Sequence, residues 1–168
     1  MSVYEDNMVK FVSEKIRKKS GARLAAVQAV YMAGFSGLGV DEVVEDFVKG
    51  DVGRYAIEED CFNGEEMVEL AEIDKPYFEK LVKGILSKKE DLENSLRVYL
   101  KDGGSYDYMN ATMQALLLCA IYELNFTVEV DKKVIIQEYV DLAYAFFTKN
   151  EPKMINALLD QISKNVRI

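Results

Sequence analysis

The sequence predicts an all-α fold, a compact bundle of roughly six to eight helices. Three observations point there. Only two prolines interrupt the 168 residues, and Leu, Ala, Glu and Lys dominate the patterned segments. Apolar side chains recur at helical spacing through most of the chain. Finally, Asn110 to Phe126 reads NATMQALLLCAIYELNF, with its first charge at Glu123. A helix apolar nearly all round belongs at the centre of a bundle. This one falls short of the roughly 20 apolar residues that a membrane span requires. With 49% hydrophobic and 30% charged residues, the chain has the balance of a folded globular domain rather than a disordered one.

In chain order, Tyr4 to Lys18 sets Met8, Phe11, Val12 and Ile16 at helical spacing, and Ser20-Gly21 is the expected boundary with the next helix. Ser20 would cap that second helix. A helix continuing through Gly21 is the alternative, at a cost of about 1 kcal/mol. Ala22 to Ala33 forms a strong helix with a Leu24, Val27, Val30, Tyr31 stripe, ended by a loop carrying Gly34, Gly37 and Gly39. Asp41 to Lys49 is a short amphipathic helix, and Gly50 to Gly64 is weakly patterned. Asp74 to Ser87 has an N-cap in Asp74, Pro76 in its first turn, and a buried stripe of Phe78, Leu81, Val82 and Ile85. Lys88 to Leu100 comes next with Leu92, Leu96 and Tyr99. Asp102-Gly103-Gly104-Ser105 is the expected boundary between two halves, 1–101 and 102–168, of a single domain. After the hub helix and a turn at Val128 to Asp131, Lys132 to Phe147 carries Val134, Ile135, Glu138, Leu142 and Phe146. The last helix starts at Asn150-Glu151-Pro152 and buries Ile155, Leu158, Leu159 and Ile162.

Charge is unevenly spread. The net charge is −8, which disfavours coating nucleic acid by bulk attraction. Yet Lys15 to Arg23, KIRKKSGAR, holds five basic residues and no acidic one, whereas Asp41 to Glu79 holds 14 acidic residues against 3 basic. A polyanion is expected only at the basic end. On residues alone, that run reads more readily as a solvated helix face than as an RNA contact.

Chemistry is narrowly bounded. Without histidine there is no Ser-His or Cys-His pair and no histidine-bearing zinc site. Cys61 and Cys119 lack metal spacing, and no phosphate loop or dinucleotide fingerprint is present. A non-enzymatic protein without cofactor or metal is expected. The N-terminus MSVYEDNMVK has no apolar signal region, so a reducing cytoplasm is expected and no membrane.

Five segments in register then resemble one family. Ala26 to Tyr31 (AVQAVY) lies just after a basic stretch; Tyr77-Phe78 precedes Leu81 and Gly84; Ala120 to Leu124 reads AIYEL. Lys133 to Glu138 (KVIIQE) leads to Leu142-Ala143 and Phe146, and Lys153 to Asp160 reads KMINALLD. Together they resemble the NusB family of transcription antitermination factors. The resemblance implies two three-helix halves. It also implies binding of boxA RNA in ribosomal RNA leaders, with ribosomal protein NusE, in the elongating polymerase complex with other Nus factors. Lys18, Lys19 and Arg23 match the family's arginine-rich motif, thinned here by Ser20 and Gly21, so weaker or more partner-dependent RNA binding is expected.

The resemblance further assigns Lys133, Gln137, Phe146 and Lys153 to the RNA surface, and Met113, Gln114 and Leu117 to the NusE surface. Met154 stands where the family has phenylalanine, Leu118 where it has arginine, and Asp131 where it has proline. Asn156 is expected to tie the last helix to the bundle. Glu123 reads either as a buried anchor or as a surface carboxylate. Arg23→Glu or Lys19→Glu is expected to weaken RNA binding with helical content unchanged, unless the residues are structural. A protein-only module that docks NusE without RNA is the rival reading. Monomer and homodimer both stay open.

Overall fold

The computed structural model describes residues 3–36, 39–49, 73–100, 105–148 and 150–167. Seven helices lie among them and no strand: α1 (Val3–Ser36), α2 (Val40–Lys49), α3 (Lys75–Ser87), α4 (Lys89–Tyr99), α5 (Ala111–Phe126), α6 (Lys132–Phe146) and α7 (Asn150–Val166). The all-α expectation holds. None of the described helices is long and apolar enough to cross a membrane. The weakly patterned stretch 50–64, the Asp102–Gly104 boundary, and the side chains of Met8, Phe11 and Val12 lie outside the described residues.

The apolar run predicts a hub, and α5 is one. It packs against α1, α3, α4, α6 and α7. Every residue from Ala115 to Leu124 is buried, leaving no solvent face over those turns. Asn110 caps its start, where Oδ1 accepts from the Thr112 N–H at 2.8 Å. At its other end the guanidinium of Arg167 donates to the carbonyls of Leu124, Thr127 and Val130 at 2.8, 2.6 and 2.6 Å, and to that of Glu123 at 3.1 Å. A cation at a helix C-terminus satisfies orphan carbonyls and opposes the negative pole of the macrodipole. Arg167 thus closes the end of the hub.

The expected break at Ser20-Gly21 is absent. α1 runs unbroken through both residues and on past Gly34. From Gly21 to Val30 each residue is buried, so tertiary packing outweighs the modest penalty of one helical glycine. Ser20 is therefore no N-cap. Its hydroxyl donates instead to Glu138 on α6, 2.8 Å from both carboxylate oxygens.

Other starts agree closely with the sequence. Asp74 Oδ1 accepts from the Tyr77 N–H at 3.1 Å, with Pro76 in the first turn of α3. Asp131 caps α6, Oδ1 accepting from the Lys133 N–H at 2.8 Å. The aspartate thus provides a start to α6 by hydrogen bonding. The buried face of α6 is rotated from the expected stripe. Ile135, Tyr139, Val140 and Ala143 are buried, while Val134 is 48% exposed.

Gly84 is required by packing. A Cβ there would overlap the phenol of Tyr122 on the hub, which lies directly over the α3 backbone. Gly84→Ala is expected to destabilise the fold by about 1–3 kcal/mol, as overpacking does. Urea unfolding checks this; an unchanged midpoint would mean that Tyr122 moves aside freely.

Candidate nucleic-acid interface

The residues assigned to RNA from the sequence separate into three groups. Lys18 is exposed and Lys19 half-exposed on α1, with Lys15 exposed one turn earlier. The Lys19 ammonium sits 5.3 Å from the centre of the Tyr77 ring, a cation–π distance that holds it at the junction of α1 and α3.

A second group meets on α6 and α7. These helices pack against each other, joined by a short connection. Between them lies a depression of about 390 Å³ lined by Lys133, Ile136, Gln137, Lys153, Asn156, Ala157 and Asp160. Helical periodicity explains the set: 133, 136 and 137 share one face of α6, while 153, 156, 157 and 160 share one face of α7. Three sequence-assigned residues, Lys133, Gln137 and Lys153, therefore converge. Gln137 is fixed by donating from Nε2 to Asp141 Oδ1 at 2.8 Å. Asn156 is exposed and opens onto the depression, so it does not tie α7 to the bundle as expected. Phe146 is half-buried in the last turn of α6, its ring 6.2 Å from that of Phe147, outside the depression.

Arg23 is the correction. It is only 2% exposed. Its Nε donates to Glu123 Oε2 at 2.8 Å, and its Nη2 donates to Glu123 Oε1 at 3.2 Å and to the Tyr77 hydroxyl at 3.1 Å. The hydroxyls of Tyr77 and Tyr139 both donate to the same carboxylate, the latter at 2.5 Å. Glu138 approaches from α6, its Oε1 3.8 Å from Arg23 Nη1. Four helices thus meet on one ion pair. A buried guanidinium so engaged is not presented to a phosphate, and Arg23 has a structural place rather than a surface one.

The electrostatics agree with that placement. Burial lowers the Arg23 pKa, but the hydrogen bond and charge of Glu123 outweigh it and hold the guanidinium firmly protonated. Burial first, and then the charge of Glu123, push both Tyr77 and Tyr139 well above the ordinary phenol range. The sequence carried one signal for this network: a lone carboxylate, Glu123, in the apolar hub. A charge there needs a buried partner.

The assigned partner residues also move inward. Met113 and Leu117 are 4% and 0% exposed, covered by the bundle because the hub has no free face at those positions. Gln114 is half-exposed, with Nε2 donating to the Tyr106 carbonyl at 2.6 Å.

Removing Arg23 would leave Glu123 buried without its cation. Arg23→Ala is therefore expected to cost about 3–5 kcal/mol. Lys18→Glu, at an exposed position, should change stability by less than about 0.5 kcal/mol. Chemical denaturation of both variants checks the contrast, and equal effects would remove the structural assignment of Arg23. Raised phenol pKa values give the alkaline sign. The stability they contribute is complete below the ordinary tyrosine range and is lost as pH climbs toward their raised native values. A pH series of melting temperatures should thus fall above that range.

The NusB family model matches residues 20–164. The transcription antitermination protein NusB of Sphingopyxis alaskensis is 34% identical over 156 residues, spanning 93% of this chain and 99% of that protein. That of Caulobacter vibrioides is 34% identical over 153 residues, spanning 91% and 97%. Among solved structures, T. maritima NusB superposes with a TM-score of 0.61 at 21% identity, over 86% of this chain and 89% of that one, which establishes a shared fold. With its family model matched across most of its length and relatives aligned nearly end to end, this chain belongs to the NusB family.

Proposed function

We propose that this protein acts in transcription antitermination by binding boxA RNA of ribosomal RNA leaders together with ribosomal protein NusE. In this reading it works in the cytoplasm, alongside the elongating polymerase and other Nus factors, and does no covalent chemistry. The observation that carries the RNA half is the convergence of Lys133, Gln137 and Lys153 on one depression. Cations neutralise phosphate, and an amide reads a base edge, as single-stranded RNA requires. The hydroxyl bridge from Ser20 to Glu138 ties α1 to α6, so the basic run ending at Lys19 is anchored beside the helix that carries Gln137. For NusE, the reading keeps to the start of the hub, where Asn110 is exposed, Gln114 half-exposed and Tyr108 is 91% exposed.

A specific observation favours a second reading, the protein-only module. Burial of Arg23 removes one cation from an already thin basic motif in a chain of net charge −8. Of the cations assigned to RNA, those left at the surface are Lys18, Lys19, Lys133 and Lys153, which neutralise phosphate as point charges without a bidentate fork.

Fluorescence anisotropy of a boxA RNA, with and without NusE across a salt series, separates the two. The RNA factor should bind more tightly with NusE and show a log–log salt slope of about −2 to −3, as three or four phosphate contacts on a single strand give. A stable NusE complex that leaves the RNA unbound would establish the protein-only module. Equal binding of a scrambled RNA would reduce the interaction to nonspecific attraction.

A further inference from the structure

The depression between α6 and α7 holds more than phosphate-binding lysines. Ile136, half-buried, and Ala157, exposed, contribute the apolar part of its lining. Around these two residues the polar atoms are unevenly divided. Because Gln137 uses its Nε2 on Asp141, its Oε1 is left as an acceptor. Asp160 adds a carboxylate. Its Oδ2 is paired with Lys164 at 3.1 Å, and Oδ1 has no hydrogen-bond partner among the described residues. Asp160 lies seven residues from Lys153 on one face of α7, about 10 Å along the axis. That separation suits a nucleotide with its phosphate at the lysine and its base edge at the carboxylate.

A carboxylate is out of place in a site that only collects phosphates, since it repels them. Nor does stability require it. Asp160 and Lys164 form an exposed i,i+4 pair of the kind that contributes little. It does match a hydrogen-bond donor on a base. Carboxylates accept from the N4 amino group of cytosine, and adenine and guanine also carry amino groups. Uracil places a carbonyl oxygen where cytosine has that amino group, and a carbonyl facing a carboxylate sets acceptor against acceptor.

We infer that this depression is a nucleobase subsite, with Ile136 and Ala157 beneath the base and Asp160 selecting an amino-bearing base over uracil. The inference rests on the RNA-binding reading above and deepens it. Asp160 sets which base is held, while Lys133 and Lys153 set how tightly the backbone is held.

The test compares anisotropy of labelled oligocytidylate and oligouridylate of equal length, two pyrimidine chains that differ in the group offered to Asp160. The full chain should prefer oligocytidylate by about tenfold, within the range of one good base contact. Asp160→Asn and Asp160→Ala should bring the two affinities within about twofold of each other while both oligomers remain bound. Melting curves of the variants confirm that they are folded. Equal affinity of the unaltered protein for both oligomers overturns the inference and leaves the RNA reading standing. So does a cytidine preference that survives both substitutions. Failure to bind either oligomer, with NusE present as well as without it, overturns the inference, while the boxA measurement with NusE decides the RNA reading separately.

Discussion

The ion pair between Arg23 and Glu123 is the constraint on which the rest of this bundle depends. Taking a carboxylate into the middle of an apolar helix carries a desolvation penalty of several kcal/mol, recovered only with good geometry and additional hydrogen bonds. Here the geometry is complete. The guanidinium engages both Glu123 oxygens, and the phenols of Tyr77 and Tyr139 donate to them as well. Each donor comes from a different helix, so α1, α3 and α6 must all be in register with α5 for the charge to be satisfied. Apolar contacts tolerate small rotations of a helix. This network does not, and it fixes the rotation of α1 about its axis.

That rotation decides which part of the basic run faces water. From Glu14 to Lys18 the helix is exposed, at Lys19 and Ser20 it is half-buried, and from Gly21 it is inside. One continuous helix thus changes from solvated arm to core element within a single turn. The five basic residues that look equivalent in sequence are divided accordingly. Lys15, Arg17 and Lys18 lie outside, Lys19 lies over the Tyr77 ring, and Arg23 is taken into the core.

Legibility in the sequence tracks the range of the forces involved. The hub is plain there because a run of apolar residues without a polar face has one stable environment. The caps at Asp74, Asn110 and Asp131 are local, and Asp74 is readable from sequence because its hydrogen bond spans only three residues. The break at Ser20-Gly21 fails for the opposite reason. A local propensity of about 1 kcal/mol is set against ten consecutive residues of tertiary burial, and burial wins. Arg23 is misread as a surface cation because its partner is 100 residues away. Charge type alone does not distinguish a phosphate contact from a buried ion pair. On α6 and α7 the convergence of Lys133, Gln137 and Lys153 on one depression is more legible, since they fall on faces set by the helical period. Asp160 is hidden because a carboxylate on a surface helix reads first as a solvated i,i+4 partner.

The distribution of charge sets the terms on which an acidic protein of this family can hold RNA. A surface crowded with arginine gains affinity from any phosphate backbone and discriminates little. With Arg23 withdrawn into the core and only lysines at the groove, the phosphate contribution under the proposed reading is small. It falls further as salt rises. Under that reading discrimination must then come from base edges, whose hydrogen bonds depend less on ionic strength than phosphate contacts do. Under the proposed reading Asp160, one of the carboxylates that weaken general attraction to a polyanion, sharpens the choice among bases. Net negative charge is then compatible with specific RNA recognition under the proposed reading, provided that the few cations present stand beside groups that read the bases.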